Sequence, residues 1–264
     1  MASLIDSLSD VVISSINFLA IRKAMEPADS NHRYGHGKIE GLAALIQATF
    51  LAAAAFFLLL EATQRLLHPA PITDHSIAAI VMGASILLTI GLVYIQNKIL
   101  QKEEYLSVEA DKAHYTGDIA SHIGILLIIG VDYFNGPSWV DPIGAIAITI
   151  YLSFTSWNIA CKGVDMLLDR EAPGDVREKI IQIVLSHPHI HGIHDLRTQR
   201  YGIKLNISFD VEINGDLSLK EAHDITKEVE DSLLEEFPHT EIMIHKDPLG
   251  EIEDSRHQVI GVHH

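Results

Sequence analysis

The feature that most constrains this chain is the uneven placement of its apolar residues. The runs LAALIQATFLAAAAFFLLL (42–60), IAAIVMGASILLTIGLVYI (77–95) and IGAIAITIYLSF (143–154) all precede residue 165. A bilayer core takes roughly 20 such residues per helix, and inside hydrocarbon a backbone must satisfy its own hydrogen bonds. The front of the chain therefore reads as an α-helical membrane domain with five spans, at about 3–24, 39–60, 77–97, 113–133 and 143–161. Beyond it the chain turns charged, and ten of the sixteen histidines lie there. This shift predicts a membrane domain over 1–165, a soluble domain over 166–247 and a flexible tail over 248–264. No basic segment with a cleavage site opens the chain, so no cleavable signal peptide is expected.

Charge narrows the partners. A formal net charge of −16 provides no basic patch able to replace the counterions of a nucleic acid, and it suits a protein that handles cations. With Cys161 as the single cysteine, an intramolecular disulfide is impossible, and any bound metal must be held by imidazole and carboxylate. There is no HExxH and no nucleophile paired with a base, so an enzyme is not expected.

Basic residues orient the spans. The loop at 22–38 carries Arg22, Lys23, Arg33 and Lys38, and the loop at 97–112 carries Lys98, Lys102 and Lys112; the segment 61–76 has only Arg65, and 132–142 has none. Alternate loops are thus expected in the cytoplasm, and Lys162 and Arg170 put the C-terminal region there too. Five spans with a cytoplasmic C-terminus place Met1 on the far side, as though a preceding helix were absent.

The soluble region has its own periodicities. DVREKIIQIVLSH, from about 174, is amphipathic with helical spacing, and 192–200 reads as a polar strand. Leu205, Ile207, Phe209, Val211 and Ile213 alternate with polar residues as in a half-buried strand. Ser218 and Glu221 form a capping-box pattern that opens a helix running to about Phe237, and EIMIH (241–245) is a further strand. The order αββαβ predicts an α+β domain, ferredoxin-like or metallochaperone-like, with helices on one face of a three-stranded sheet.

Against this background some polar residues stand out. Asp6 and Asp10 in the first span, and His114 and Asp118 in the fourth, are each four apart and so share a helix face. Ionisable groups inside spans are expensive and usually functional. If the two helices pack together, one imidazole and three carboxylates converge, a set that suits tetrahedral Zn²⁺ and tolerates Fe²⁺, Cd²⁺ or Co²⁺. His122 continues the stripe two turns from His114, but a hydrogen bond to a neighbouring helix explains it better, and it is not taken as a ligand. Asp29, His32 and His36 have ligand spacing in the 28–38 loop, although from spacing alone a polar turn freed by Gly35 and Gly37 fits as well. In the soluble region His194, His223, His245 and Asp247, taken singly, read as surface residues.

These residues together resemble the cation diffusion facilitator family, in particular its bacterial zinc and iron efflux members. The resemblance runs through DSLSD (6–10), PADSNHRYGHGKIEGLAAL (27–45), HYTGD (114–118), LLDR (167–170), HDLRTQR (194–200) and IHKDP (244–248). It implies six membrane helices, of which the first has no counterpart here. It further implies a transport site of Asp6, Asp10, His114 and Asp118, a loop site of Asp29, His32 and His36, and cytoplasmic metal positions at His194, His223, His245 and Asp247. Where several members carry another histidine on the second strand this chain has Ser208, so one of the paired cytoplasmic sites is expected to be weaker or absent. Lys38 and Asp169 fall where members pair charges near the junction of the two domains.

The expectation is a homodimer in a bilayer, in the bacterial inner membrane with its C-terminal domain cytoplasmic. It would export a divalent cation, foremost zinc, in exchange for protons, with Zn²⁺ as both cargo and regulator. The alternative is a membrane-anchored metal sensor or scaffold that binds cations without moving them.

Overall fold

The fold is described from a computed structural model covering residues 2–67, 75–101, 105–133, 140–250 and 260–261, with the side chains of residues 2–11 and of some helix-end positions not described. Five long helices occupy the first part: α1 (Ala2–Ala24), α2 (Ile39–Leu67), α3 (His75–Leu100), α4 (Leu106–Tyr133) and α5 (Val140–Leu167). The second part contains α6 (Gly174–Leu185), β1 (Gly192–Tyr201), β2 (Lys204–Ile213), α7 (Leu219–Glu236), β3 (Thr240–Pro248) and β4 (Ile260–Gly261). The chain divides into two compact units, one of residues 1–28 and 39–164 and the other of residues 29–38 and 165–264.

In the helical unit, three segments among the described residues are long and apolar enough to cross a membrane: Ile39–Gln64, Gly83–Leu100 and Pro142–Leu167. The helices predicted for the other two spans are present as α1 and α4, and both carry polar stripes. α4 begins seven residues before the predicted 113, because apolarity alone misses its first two turns. Leu106, Val108 and Ala110 are buried there, while Ser107 donates from its backbone N (3.3 Å) and Oγ (3.4 Å) to Glu40 of α2, itself 1% exposed. A side-chain acceptor at a helix N-terminus satisfies a backbone N–H that would otherwise have no partner.

Small residues let these helices approach. A Cβ on Gly117 of α4 would collide with Leu152 of α5, and one on Gly163 of α5 would sit 3.0 Å from the backbone oxygen of Gly41 on α2. Ser156 of α5 also donates to the Ala48 carbonyl at 2.7 Å. Such close packing, with polar side chains satisfied across helices, holds apolar helices together where lipid supplies no hydrophobic drive.

The second unit has a core of its own. α6 contributes Ile180 and Val184, β1 Ile193 and Leu196, β2 Ile207, Phe209, Val211 and Ile213, and α7 Ala222, Ile225, Val229 and Leu233. The period-2 pattern of β2 delivers its apolar side chains to the helices and leaves Ser208 and Asp210 on the other face. The predicted capping box is formed, with Ser218 Oγ accepting from Glu221 N and the Glu221 carboxylate accepting from Ser218 N.

The sheet order is β3-β2-β1-β4, with β1–β2 and β1–β4 antiparallel and β2–β3 parallel. The predicted three-stranded sheet is thus corrected to four strands. Ile260 and Gly261, inside the segment expected to be a flexible tail, pair with Ile193 and Gly192. Two residues are too few to leave a periodic signal, so only the pairing reveals them.

Leu233 is fully buried, and replacing a buried leucine by alanine costs about 2–5 kcal/mol. The Leu233→Ala variant should therefore lower the thermal midpoint of the second unit by several degrees or more in calorimetry, with no direct effect on the helical unit.

Candidate metal sites

The fourth helix places His114 and Asp118 one turn apart, with His114 Nε2 3.6 Å from Asp118 Oδ2. Two donors each 2.0–2.1 Å from a tetrahedral ion lie about 3.3–3.5 Å apart, so this pair is spaced to share one. The side chains of Asp6 and Asp10 lie outside the described residues, although both positions are on α1. Contacts further along fix how α1 meets α4: Ser14 Oγ is 3.0 Å from the Tyr115 hydroxyl, and Asn17 Nδ2 donates to Asp111 at 2.9 Å. His122 continues the α4 stripe. Among the described residues its buried Nδ1 has no hydrogen-bond partner, so the bond to a neighbouring helix that would have explained it is not found there at that atom.

The second group is built by a turn. Asp29 Oδ1 accepts from the backbone N of Asn31 (2.8 Å) and of His32 (2.6 Å). These two backbone donors hold the carboxyl below the usual aspartate range and leave it anionic. Gly35 takes a positive φ of 81°, which returns the chain so that His36 comes back to Asp29. The His32 Nδ1 to Asp29 Oδ1 distance is 3.4 Å and the His36 Nε2 to Asp29 Oδ2 distance is 3.5 Å. His36 is 6% exposed, and neither of its ring nitrogens makes a hydrogen bond. A buried imidazole without hydrogen bonds, facing a charged carboxylate at this spacing, fits a divalent ion between them.

The same segment packs within the second unit. Lys38 Nζ donates to Asp169 Oδ2 at 2.8 Å and lies 5.4 Å from the ring centre of Tyr201, while Tyr34 stacks on Tyr201 with ring centres 5.9 Å apart. Gly37 is required there, since a Cβ would come within 2.3 Å of the Tyr201 carbonyl oxygen.

The third group lies across the sheet. Asp210 of the central strand β2 is paired with His194 on one side and His245 on the other. His194 Nδ1 is 3.8 Å from Asp210 Oδ2, and its Nε2 is 3.0 Å from Asp247 Oδ2; the other Asp247 oxygen lies 3.1 Å from His245 Nε2. Asp247 thereby faces two imidazoles, one with each oxygen, an arrangement suited to bridging two ions. Donor atoms of His194, Asp210 and Asp247 all lie within 4.8 Å of one another. Burial raises the Asp210 carboxyl above the usual aspartate range, against the pull of His245 and His194.

Two differences from the sequence reading follow. Asp210 was not singled out, yet the alternation of β2 puts it on the same face as Ser208. Strand register was the missing information. His223, by contrast, is not brought into this group: it lies on the exposed side of α7, opposite Ala222, Ile225 and Val229.

Residues 1–168 match the family described as Cation efflux transmembrane domain, and residues 172–249 match Cation efflux protein, cytoplasmic domain. The chain is 39% identical over 249 residues to the cation-efflux pump FieF of Shewanella oneidensis, covering 94% of this chain and 84% of that protein. It is 38% identical over 248 residues to cation-efflux pump FieF of Escherichia coli, covering 94% and 82%. Among solved structures, the metal-bound C-terminal domain of the CzcD transporter from Thermotoga maritima is 31% identical, covering 30% of this chain and 93% of that one, with a TM-score of 0.29.

A charged Asp210 is disfavoured by its surroundings, so without metal the folded state loses stability as pH rises through its raised pKa, whereas below the unfolded-state value no such penalty exists. Asp210→Asn should leave the metal-free protein as stable as the parent or more so at pH 7. It should also remove most of the stabilisation added by zinc, which is about 2.7 kcal/mol at a hundred times Kd. Thermal unfolding with chelator and with zinc measures both effects.

Proposed function

The chain belongs to the cation diffusion facilitator family, and on that premise we propose that it exports a divalent transition-metal ion, zinc foremost, from the cytoplasm in exchange for protons, as a homodimer. It is a cation-efflux transporter and not an enzyme, an integral membrane protein with a cytoplasmic C-terminal domain. All five helices α1–α5 cross the bilayer in this reading, with α1 and α4 turning their polar stripes toward each other.

The single observation that carries the proposal is the His114–Asp118 pair together with the register of α1 on α4. Ser14 meets Tyr115, and Asn17 meets Asp111, so the helices run antiparallel with residue numbers summing to about 128. Continuing that register by helical periodicity brings position 10 level with Asp118 and position 6 level with His122. Asp10, on the same stripe of α1 as Ser14 and Asn17, joins His114 and Asp118 at that level; Asp6, one turn further along the stripe, is assigned as the fourth ligand on the family pattern rather than on this register. His122 is not needed as a ligand.

Coupling follows from the donors. A carboxylate must be deprotonated and His114 neutral to bind metal, so metal and protons compete for one site. If that site faces each side of the membrane in turn, whichever species loads on one side is exchanged for the other. One imidazole with three carboxylates disfavours Cu⁺ and accommodates Zn²⁺, Fe²⁺, Cd²⁺ and Co²⁺.

The other two groups are assigned regulatory ions. Zn²⁺ held by His194, Asp210, Asp247 and His245 stabilises whichever arrangement of the cytoplasmic domain completes its coordination. Exposed His223 is available to an ion only from outside its own domain, which suits a contribution across the dimer. Asp29, His32 and His36 hold a further ion in the loop.

Asp118→Ala and Asp10→Ala, reconstituted in vesicles, should each reduce zinc flux by about a hundredfold or more, a loss of the size expected when a metal site is broken. Their thermal midpoints should stay near that of the parent. In the parent, apparent zinc affinity should fall about tenfold per pH unit for each proton displaced. Parent-like flux from both variants, or zinc binding by the parent without proton-coupled flux, would overturn the proposal, the second outcome favouring a sensor.

A further inference from the structure

Two turns before Asp118 on α4, the Asp111 carboxylate sits where four helices meet. Asn17 of α1 donates to Oδ1 at 2.9 Å, Gln47 of α2 donates to the same oxygen at 3.1 Å, and Gln96 of α3 donates to Oδ2 at 2.6 Å. Asn17 Nδ2 also lies 3.1 Å from Gln47 Oε1. The three carboxamide residues are 5%, 3% and 5% exposed. Nothing in the transport mechanism above uses this cluster.

A clamp that only holds helices together would explain the donors but not the remaining atoms. Among the described residues no lysine or arginine is paired with Asp111; its carboxylate is held by three neutral carboxamide donors, with the His114 imidazole as the ionisable group that acts on it. Asn17 Oδ1 and Gln96 Oε1 are buried without a hydrogen-bond partner. Buried acceptors left unpaired are costly and uncommon in native proteins. The cluster therefore holds a carboxylate met only by neutral donors, and two idle oxygens, both of which a cation would satisfy.

Carboxamides are suited to such a double role. Each carries a donor and an acceptor at opposite ends of a planar group, and rotating that group exchanges one for the other with little change of shape. With no ion present, the NH₂ groups solvate the Asp111 carboxylate. With a cation beside it, the same three side chains can turn Asn17 Oδ1, Gln47 Oε1 and Gln96 Oε1 toward the ion. Oxygen donors alone bind a divalent transition metal more weakly than a set containing imidazole. Such a site holds an ion briefly and releases it.

Placement supplies the direction. Asp111 precedes His114 by three residues and Asp118 by seven, about 4.5 and 10.5 Å along the helix. It lies toward the N-terminal end of α4, the end that the positive charges of Lys98, Lys102 and Lys112 assign to the cytoplasm. We infer that Asp111, Asn17, Gln47 and Gln96 form an oxygen-only loading site, where a divalent cation from the cytoplasm is held before it passes to His114 and Asp118. This rests on the assignment of the transport site to α1 and α4.

The test uses the full chain in vesicles, with zinc as the probe, and the variants Asp111→Asn, Gln96→Leu and Asp118→Ala. Asp111→Asn keeps the size of the side chain and removes its charge; one acceptor oxygen becomes an NH₂ donor, toward which Gln96 can turn its idle Oε1. It should lower kcat/KM for zinc uptake by about tenfold, the scale on which a focused charge alters loading. Equilibrium zinc affinity of the transport site and the thermal midpoint should be unchanged. Gln96→Leu removes one oxygen and should lower kcat/KM in the same direction by a smaller factor.

Unchanged kcat/KM in a folded Asp111→Asn protein would overturn the inference. So would a parallel loss of thermal stability and of transport-site affinity, which would make the cluster a helix clamp only. Asp118→Ala separates the two readings. If it abolishes flux while Asp111→Asn is silent, the loading site alone falls; if it transports normally, the transport-site assignment falls first.

Discussion

The helical unit depends on one constraint, that polar side chains on apolar helices must satisfy one another because lipid cannot. α1 and α4 carry the polar stripes, and hydrogen bonds join them: Ser14 with Tyr115, Asn17 with Asp111. These contacts set the antiparallel register. Sliding either helix by one turn would break both at once and leave Asp111 with a buried, partly solvated charge. The geometry of the proposed ion site thus follows from hydrogen bonds that are not themselves part of it.

The cytoplasmic unit solves a different problem with a single strand. β2 is central, and its period of two sends Ile207, Phe209 and Val211 into the core while Asp210 faces the opposite way between His194 and His245. Packing on one face therefore fixes the ligands on the other. Any slip of register by one residue would exchange the faces. The loop at 29–38 is treated similarly: Tyr34, Gly37 and Lys38 fasten it to Tyr201 and Asp169, and the Asp29, His32 and His36 group is carried on that fastened segment. The Lys38–Asp169 pair is about one-third exposed, so it contributes little stability by itself. The close approach at Gly37 and the Tyr34 ring add the fit that a surface ion pair lacks.

Much of this was readable in advance where a period or a short motif carried it. The amphipathic and alternating segments anticipated α6, β1, β2, α7 and β3 within a few residues, because each buries a whole face and so repeats its pattern. The Ser218–Glu221 box marked the start of α7. A turn brings Asp29 near His32 and His36, and a helix brings His114 near Asp118, because both elements keep near neighbours in the chain together. What escaped was non-local. β4 has two residues and no period, α4 starts in polar residues whose partners are on α2 and other helices, and Asp210 became a candidate only when two strands were laid beside it.

The sequence by itself determined that the chain has an apolar helical half and a soluble α+β half, that no cysteine site is possible, and which acids and histidines share a helix face or a turn. Those are consequences of composition and of local periodicity. Only the tertiary structure decided which stripe meets which, that Asp210 joins His194 and Asp247 while His223 stays apart, and that Asp111 gathers amides from three other helices. Strand register and helix register are settled by packing between segments distant in the chain, and no local spacing encodes them.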